Sequence, residues 1–433
     1  MVKRGRLRGG GTTERQRGRH MPLDNTSPAL DALLLGTVLE LELSDRDRRV
    51  LRKRYDLIKP HLERQGSALA PYLNNALVYA QGSRAIGATI VHGADDDRFD
   101  LDGILEFPTP MGWGPAKVLD ELYTSLEGFP DSTGIQRCTR CIQLKFAFMH
   151  LDLTPMDPAS APRVDRVGDI YHSPDKGEDL RVAANPYGFA SWFRGRVAQP
   201  TVIFRDQVAK ARTALGIRDR IALGSMIIKA DTQVDDLPDE VDPIRDAPQV
   251  IALKLMKRYL NLRYANRKER RPPSVYLSKL AAMVPVNSTG LCSQLEDYAN
   301  LVEQRMAYCL ATGSRPEERN PALWEENFND RWPKQVCEMQ LLQNDMRHLR
   351  HELAKARISE APEIRRIFSR LFGERATVAS FKAYTDQLSS TAGKTRVEQG
   401  RGYIAAPAIL PAAAALKVSA APAHHFHCGV QDK

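Results

Sequence analysis

The chain has 433 residues, of which 42% are hydrophobic, and this length and composition fit a protein with about two or three packed units. No apolar run approaches the roughly 20 residues that cross a bilayer, and the N-terminus lacks a secretory signal, so no membrane partner is expected. Six scattered cysteines are too few for a disulfide framework, which favours a cytoplasmic location.

The net charge of +9 is concentrated at the N-terminus. Residues 1–20 hold seven basic residues and one acidic residue, so this arm carries +6 and the remaining chain only +3. We predict that residues 1–44 form a basic, flexible leader, or that Met21 is the true start of the protein. Nucleic-acid binding by the arm is the less favoured alternative.

The segment after the leader has the pattern of an α/β unit. A helix should begin at Ser44 or Asp45, because apolar residues then recur at intervals of three and four. Strand-like runs follow at "ALVYA", "FDLDGILEF", "CIQLKFAF" and "MHLDLTP", with the helical stretch "AKVLDELYTSLEGF" after the second. This alternation predicts an α/β (α+β) core over residues 45–230.

The second half of the chain has longer, helical periods, which predict a helical lobe over residues 231–384. Between residues 335 and 355 a heptad-like seam recurs, and we expect it to pack within the molecule rather than to form a dimer zipper. Residues 385–433 are rich in alanine and proline and are predicted to be a flexible tail.

Two aspartates lie side by side in the strand "FDLDGILEF". Because side chains alternate along a strand, Asp100 and Asp102 share one face while Phe99 and Leu101 share the other. An exposed strand end could solvate both carboxylates. The alternative is a pair of Mg²⁺ ligands of the kind that supports phosphoryl transfer.

Two neighbouring motifs favour the Mg²⁺ interpretation. Gly82 and Ser83 follow a strand and precede a short helix, where a phosphate can approach the backbone closely. A third acid, Asp152, alternates with apolar residues in the strand "MHLDLTP" and is preferred as the remaining metal ligand. Its competitor, Asp157, follows Pro155, where the strand is expected to have ended.

Other polar groups are harder to assign from their pattern. Asp95, Asp96 and Asp97 have no alternating apolar partners and are expected to be a solvated loop. On the predicted helix after residue 247, a stripe of Lys254, Lys257 and Asn261 either faces solvent or lines the cleft, where a lysine could bind a triphosphate.

These motifs together resemble a known family. The stretches "QGS", "DLD" and "LDLTP" are similar to nucleotidyltransferases of the polymerase β superfamily. "VAANPYGFASWF", "LKLMKRYLN", "RPPSVYLSKL" and "NPALWEENFNDRW" are similar to the CD-NTases. CD-NTases are bacterial relatives of cyclic GMP-AMP synthase and oligoadenylate synthase, and they make cyclic oligonucleotide signals in anti-phage defence.

The resemblance implies a nucleotidyltransferase core with a mixed sheet and a helical C-terminal lobe, with the active site in the cleft between them. It further implies that the enzyme condenses nucleoside triphosphates, ATP among them, into a cyclic di- or trinucleotide and releases pyrophosphate. Two Mg²⁺ ions, for which Mn²⁺ could substitute, would be held by Asp100, Asp102 and Asp152.

The nucleotide-binding residues are carried over from the same resemblance. Gln81, Gly82 and Ser83 would hold the donor triphosphate. Lys257 and Ser274 occupy the places of a lysine and a serine that contact it in related enzymes. The alternatives are a linear oligoadenylate synthase or another transferase of the superfamily, or an inactive nucleotide or RNA sensor.

The animal enzymes of this group carry a zinc module, which makes the cysteines candidate zinc ligands. Cys138 and Cys141 form one pair with no second pair or nearby histidine, and they are expected to be two core thiols. The tail contains His424, His425 and Cys428, and residues 410–433 are a candidate binding segment for an accessory protein.

Overall fold

The structure is a computed structural model, and it describes residues 28–91, 98–158, 165–217 and 243–392. These residues form a sheet with helices packed against it and a helical lobe, each built around its own hydrophobic core. The predicted combination of a mixed sheet and a helical lobe is confirmed. Among the described residues, no helix is both long and apolar enough to cross a membrane.

Seven strands form the main sheet, in the order β1-β2-β5-β4-β3, with β6 joined to the far half of β5 and β7 joined to β6. Among the strands that the structure describes in this sheet, β2 and β5 are the parallel pair and the other pairs are antiparallel. The strands are β1 (Leu77–Ala80), β2 (Phe99–Glu106), β3 (Gly134–Arg137), β4 (Ile142–Lys145), β5 (Met149–Pro158), β6 (Gly168–His172) and β7 (Leu180–Ala184).

Strand β5 continues past the proline at which it was expected to end. Its first half pairs with β4 over residues 150–153, and its last residues pair with β6 over residues 156–158. Pro155 lies in the gap between these two partners, so its missing N–H group interrupts neither ladder. Asp157 is therefore a strand residue, which corrects the prediction.

Helices α2 (Asp45–Asp56), α3 (Ile58–Leu62) and α5 (Pro115–Leu126) pack on the sheet. The predicted start of α2 is confirmed by a capping box, in which the Ser44 hydroxyl accepts a hydrogen bond from the Asp47 N–H group and the Asp47 carboxylate accepts one from the Ser44 N–H group. The short helix α4 (Gly82–Ala85) follows β1 and packs into the core of the helical lobe. It thereby joins the two halves of the molecule.

The helical lobe surrounds α8, which is buried along nearly its whole length. The heptad-like seam predicted between residues 335 and 355 lies on α11 and is buried within the chain, mainly against α10. The prediction of intramolecular packing is therefore confirmed. The helices of the lobe are α1 (Pro28–Leu39), α6 (Pro186–Arg196), α7 (Val202–Ala214), α8 (Pro248–Tyr264), α9 (Ser274–Met283), α10 (Leu291–Thr312), α11 (Val336–Arg357), α12 (Ala361–Phe372) and α13 (Glu374–Ala392), with a hairpin of β8 (Arg319–Asn320) and β9 (Leu323–Asn327).

The structure departs from the predicted leader and tail where apolar helices continue. Helix α1 is packed against α13 and α7, so residues 28–44 belong to the folded body rather than to the leader. At the other end, α13 runs eight residues beyond the expected start of the tail, to Ala392. Residues 1–27, the predicted boundary at 230 and residues 393–433 with the histidine-rich segment lie outside the described residues.

A buried ionic cluster ties the segment after α1 to the helical lobe. The Lys254 ammonium group lies 2.6 Å from a carboxylate oxygen of Glu42, and the Arg212 guanidinium lies 3.2 Å from the other oxygen. Arg212 also pairs with Asp246 at 2.7 Å. Although burial alone would raise the pKa of Glu42, these cations hold it far below its ordinary value.

Candidate active site

The predicted aspartates meet at the centre of the sheet. Because β2 and β5 are parallel neighbours, Asp102 lies directly beside Asp152, and Asp100 lies beside His150. The His150 Nδ1 atom is 3.3 Å from an oxygen of Asp100. Asp152 accepts a hydrogen bond of 2.9 Å from the side chain of Gln143 on β4. His150 and Gln143 were not predicted as part of this site.

The Gly-Ser turn reaches the same carboxylates. The Gln81 N–H group donates to the Asp102 carbonyl at 2.9 Å, which fixes the turn against β2. Gly82 has a φ of 59°, and a Cβ atom at this position would lie 2.2 Å from Oδ2 of Asp102. Any side chain at position 82 would therefore displace the carboxylate, so the turn needs a glycine for two separate reasons.

The three carboxylates repel one another. Burial, followed by the charges of Asp152 and Asp100, raises the pKa of Asp102 to about 7, although Lys257 opposes the shift. Burial and the charge of Asp100 raise the pKa of Asp152 to about 6, against the hydrogen bond from Gln143 and the charge of His150. Closely spaced acids with raised pKa values mark sites where a cation or a proton is needed.

A cavity of about 370 Å³ opens between the sheet and the helical lobe beside these residues. It is lined from the sheet side by the Gly-Ser turn and two of the aspartates, and from the helical side by α6, α8 and α9. The predicted residues that line it are Gln81, Gly82, Ser83, Asp100, Asp102, Lys257, Asn261 and Ser274. Asp152 does not line the cavity itself and contributes through its position beside Asp102.

The basic stripe predicted on α8 is divided between two environments. The Lys257 ammonium group points across the cleft and donates to the Ala88 carbonyl at 3.0 Å. Burial, followed by the charge of Arg271, lowers its pKa to about 8, although Asp102 and Asp100 oppose this. Lys254 is only 1% exposed and pairs with Glu42, so it takes no part in the cavity.

Several lining residues were missed from the sequence. Arg271 precedes α9 and bonds to Asn261, Phe189 lies on α6, and Glu326 and Phe328 come from the β9 hairpin. In the sequence, the stretches that contain these residues stand out only by their resemblance to the CD-NTases. That resemblance was the one available signal, since none of these residues belongs to a periodic pattern around the aspartates.

The competing acids and the cysteines have other roles. Asp157 accepts a hydrogen bond from the Thr109 N–H group and pairs with Arg181 at 2.7 Å, so it is engaged away from the other carboxylates. Asp95, Asp96 and Asp97 lie outside the described residues. Cys138 and Cys141 are free, half-buried thiols rather than core residues, because they form the turn between β3 and β4.

Comparison with known proteins decides the family. No family model matches the chain. The cyclic dinucleotide synthase CdnG of Bradyrhizobium diazoefficiens is 32% identical over 414 residues, which cover 93% of this chain and 95% of that protein. The structure of this CD-NTase CdnG in complex with GTP has a TM-score of 0.69 and 29% identity, over 82% of this chain and 99% of that one.

The chain belongs to the CD-NTase family. This confirms the prediction of a nucleotidyltransferase of the cyclic-oligonucleotide-producing kind. A more distant structural neighbour is the cyclic AMP-GMP synthase DncV of Vibrio cholerae, at 11% identity and a TM-score of 0.47 over 82% of this chain and 88% of that one.

CD-NTases typically need a divalent metal ion, and the donors of this site fit one. Carboxylate oxygens are hard ligands, and the raised pKa values of Asp102 and Asp152 reflect a repulsion that a cation would relieve. Within the described residues, no three His, Cys, Asp or Glu side chains enclose a metal ion by themselves.

Proposed function

We propose that this CD-NTase condenses two nucleoside triphosphates into a cyclic dinucleotide and releases two pyrophosphates, with GTP and ATP as substrates. The observation that carries the proposal is the contact of the Gly82 turn with Asp102, beside Asp152, at the edge of a cavity with cationic groups. The similar CdnG is named a cyclic dinucleotide synthase and has a structure with GTP, which supports this product and this substrate.

Asp100, Asp102 and Asp152 would hold two Mg²⁺ ions. When bound, these ions would neutralise the charge that develops on the phosphoryl group and on the pyrophosphate. The arrangement of the donors supports this, because Asp100 and Asp102 share one face of β2 while Asp152 approaches from β5. Asp152, which lies beside Asp102 in the strand register, would help to activate the attacking hydroxyl.

The triphosphate would lie between the Gly-Ser turn and the helical lobe. Gly82 leaves the backbone open to a phosphate oxygen, Ser83 offers a hydroxyl, and Gln81 holds the turn on β2. From the other side, Lys257 and Ser274 line the cavity. Lys257 would exchange its bond to the Ala88 carbonyl for a phosphate oxygen, which carries full negative charge and attracts the ammonium group more strongly.

In each step a ribose hydroxyl oxygen attacks the α-phosphorus of a triphosphate, the bond from that phosphorus to pyrophosphate breaks, and the Asp152 carboxylate accepts the hydroxyl proton. The first step joins two nucleotides into a linear intermediate. In the second step a hydroxyl of this intermediate attacks its own remaining triphosphate, which closes the ring. Both steps depend mainly on positioning and charge neutralisation.

The biological role that fits this product is signalling in bacterial anti-phage defence, in the cytoplasm. An accessory protein that binds residues 410–433 remains part of the proposal. Its test is a pull-down with the full chain and with a chain lacking these residues. We expect the truncated chain to keep synthesis and lose the partner; an unchanged pull-down would refute the role of the tail.

The activity itself is tested by incubating the full chain with all four NTPs and Mg²⁺ and treating the products with phosphatase. We expect a phosphatase-resistant dinucleotide, identified by mass spectrometry, together with pyrophosphate. Products that phosphatase degrades would indicate linear synthesis. A complete lack of NTP turnover, under Mg²⁺ and under Mn²⁺, would contradict the proposed function.

A further inference from the structure

One acidic residue lines the cavity without belonging to the aspartate cluster. Glu326 is the fourth residue of β9, and Phe328 follows the strand two positions later. Side chains two residues apart in extended backbone point to the same side, so Glu326 and Phe328 both face the cavity. The adjacent Glu325 is exposed and does not line it.

The Glu326 carboxylate is fixed by two buried groups. The Asn185 N–H group donates to its Oε2 atom at 2.8 Å, and the Asn320 side-chain amide donates to the same atom at 2.6 Å. Asn185 and Asn320 are 3% and 0% exposed. Among the residues that the structure describes, no protein donor reaches Oε1, so this oxygen can accept a bond from a ligand.

An apolar surface lies next to this oxygen. The rings of Phe189 and Phe328 pack edge to face with their centres 5.0 Å apart, and both line the cavity. Val275 and Ile86 line it as well. Such a surface accommodates the flat, weakly solvated face of a nucleobase, while a fixed polar group at its border reads the edge of the base.

The chemistry of the acceptor selects one base. A carboxylate only accepts hydrogen bonds, so it pairs with an edge that presents donors. Guanine presents two adjacent donors, N1–H and the N2 amino group, whereas adenine presents a donor beside the lone pair of N1. The adenine lone pair would face a carboxylate oxygen without a proton between them, which is unfavourable.

We propose that Glu326 is a specificity-determining residue that makes this base pocket select guanine over adenine. This inference rests on the proposed function, because it assigns the base that accompanies the triphosphate in the same cavity. Burial raises the pKa of Glu326, and the bonds from Asn320 and Asn185 oppose that rise. Hydrogen bonds from the donor edge of guanine to Oε1 would stabilise the ionised carboxylate further.

The first experiment needs no substitution. The full-length enzyme is assayed with GTP, with ATP and with inosine triphosphate, which keeps the N1–H donor of guanine but lacks the N2 amino group. The loss of one hydrogen bond to a charged acceptor should lower kcat/KM for inosine triphosphate about 10- to 100-fold relative to GTP. Equal use of GTP and inosine triphosphate would overturn the inference.

The second experiment exchanges the acceptor for a donor. In Glu326→Gln the amide oxygen must accept the bonds from Asn185 and Asn320, so the amide NH₂ faces the cavity. This group opposes the donors of guanine and suits N1 of adenine. We expect the ratio of kcat/KM for GTP to that for ATP to fall by about 100-fold or more.

The matched control is Glu325→Gln, which makes the same chemical change one residue away on the exposed side and should leave the ratio unchanged. A Glu326→Gln protein that melts like the native chain and keeps its GTP preference would refute the inference. If this variant does not fold, the comparison of GTP with inosine triphosphate in the native enzyme decides whether the pocket selects guanine.

A failure of the proposed function can be distinguished from a failure of the base selection by measuring binding. If the native enzyme joins no nucleotides at all, equilibrium binding of GTP, inosine triphosphate and ATP to the full chain still tests Glu326. Tighter binding of GTP than of the other two would then support the base selection without the synthesis. Equal binding of all three would contradict it.

Discussion

The sheet holds partly buried carboxylates and the helical lobe a fully buried one, and the two regions compensate the charge in opposite ways. In the helical lobe, Asp345 is 0% exposed and accepts hydrogen bonds from Arg263 at 2.8 Å and from Arg267 at 2.9 Å. In the sheet, the nearest charges to Asp102 include two further aspartates. An acid matched by cations serves the fold, whereas acids gathered beside one another indicate a site that awaits a positive ligand.

The largest effect should come from removing the unmatched acids. The double variant Asp100→Asn, Asp102→Asn should lose synthesis by roughly 1000-fold or more, because the charges that would hold the metal ions are gone. Its melting temperature should stay equal or rise, since mutual repulsion is removed as well. Product is measured by mass spectrometry and unfolding by calorimetry.

Asp157→Asn is the matched control for that variant, since Asp157 lies on the same sheet but is engaged by Arg181 and Thr109. It should keep its activity within a few-fold. Synthesis that survives in the double variant would refute the assignment of Asp100 and Asp102.

Removing a matched acid should affect stability instead. Glu42→Gln leaves Lys254 and Arg212 buried without their shared partner, so we expect the free energy of unfolding to fall by about 3–5 kcal/mol. Urea denaturation measures this, with the exposed Glu269→Gln as the control. Adding Lys254→Met to Glu42→Gln should recover part of the loss; a loss that simply adds would argue against the pairing.

The two kinds of acid should also respond oppositely to pH. The pKa of Asp102 rises from 3.8 to about 7 on folding, so without metal its ionisation destabilises the folded state as pH increases through this range, by roughly 4 kcal/mol. The pKa of Glu42 is lowered instead, so its contribution is present above its ordinary value of 4.5 and declines as the pH falls below it.

Urea denaturation at pH 5 and at pH 7.5, without divalent metal, isolates the contribution of Asp102, because the contribution of Glu42 is present at both pH values. Asp102→Asn should be less sensitive to the change than the native chain, and Mg²⁺ should stabilise the native chain more at the higher pH. If the free energy of unfolding of Asp102→Asn depends on pH as strongly as that of the native chain, ionisation of Asp102 is not the cause of this dependence.

The smallest effect concerns the edge of the cavity. Ser274→Ala removes one hydroxyl from the lining and should raise the KM for the nucleoside triphosphate about 3- to 10-fold with little change in kcat. Steady-state kinetics measure this. A selective fall in kcat would instead place Ser274 near the reacting atoms.

Strand alternation was sufficient to identify the aspartates. In "FDLDGILEF" and "MHLDLTP" the acids alternate with apolar residues, so their shared face follows from local geometry. The parallel register that places Asp102 beside Asp152 is a tertiary property, which the pattern within each strand does not contain. The start of α2 was also readable, because a capping box depends on residues three positions apart.

Residues that reach the site from distant segments could not be found in this way. Glu326 lies more than two hundred positions from Asp102, and its orientation depends on Asn185 and Asn320, which have no pattern in common with it. Helix α1 was missed because its sequence is apolar on every side and lacks periodicity. Lys254 and Lys257 share a stripe on α8, but this helix is buried along nearly its whole length and has different neighbours along the stripe. The two lysines therefore lie in different environments.

The close approach of Gly82 to Asp102 also limits how this enzyme can evolve. A single methyl group at position 82 would collide with the Asp102 carboxylate, in a backbone conformation that other residues adopt with strain. The collision would occur at the first residue of the short helix α4, before Ala85, which belongs to the core of the helical lobe. With the role proposed for Asp102, one codon change is enough to convert the synthase into a silent descendant that retains most of its nucleotide cavity.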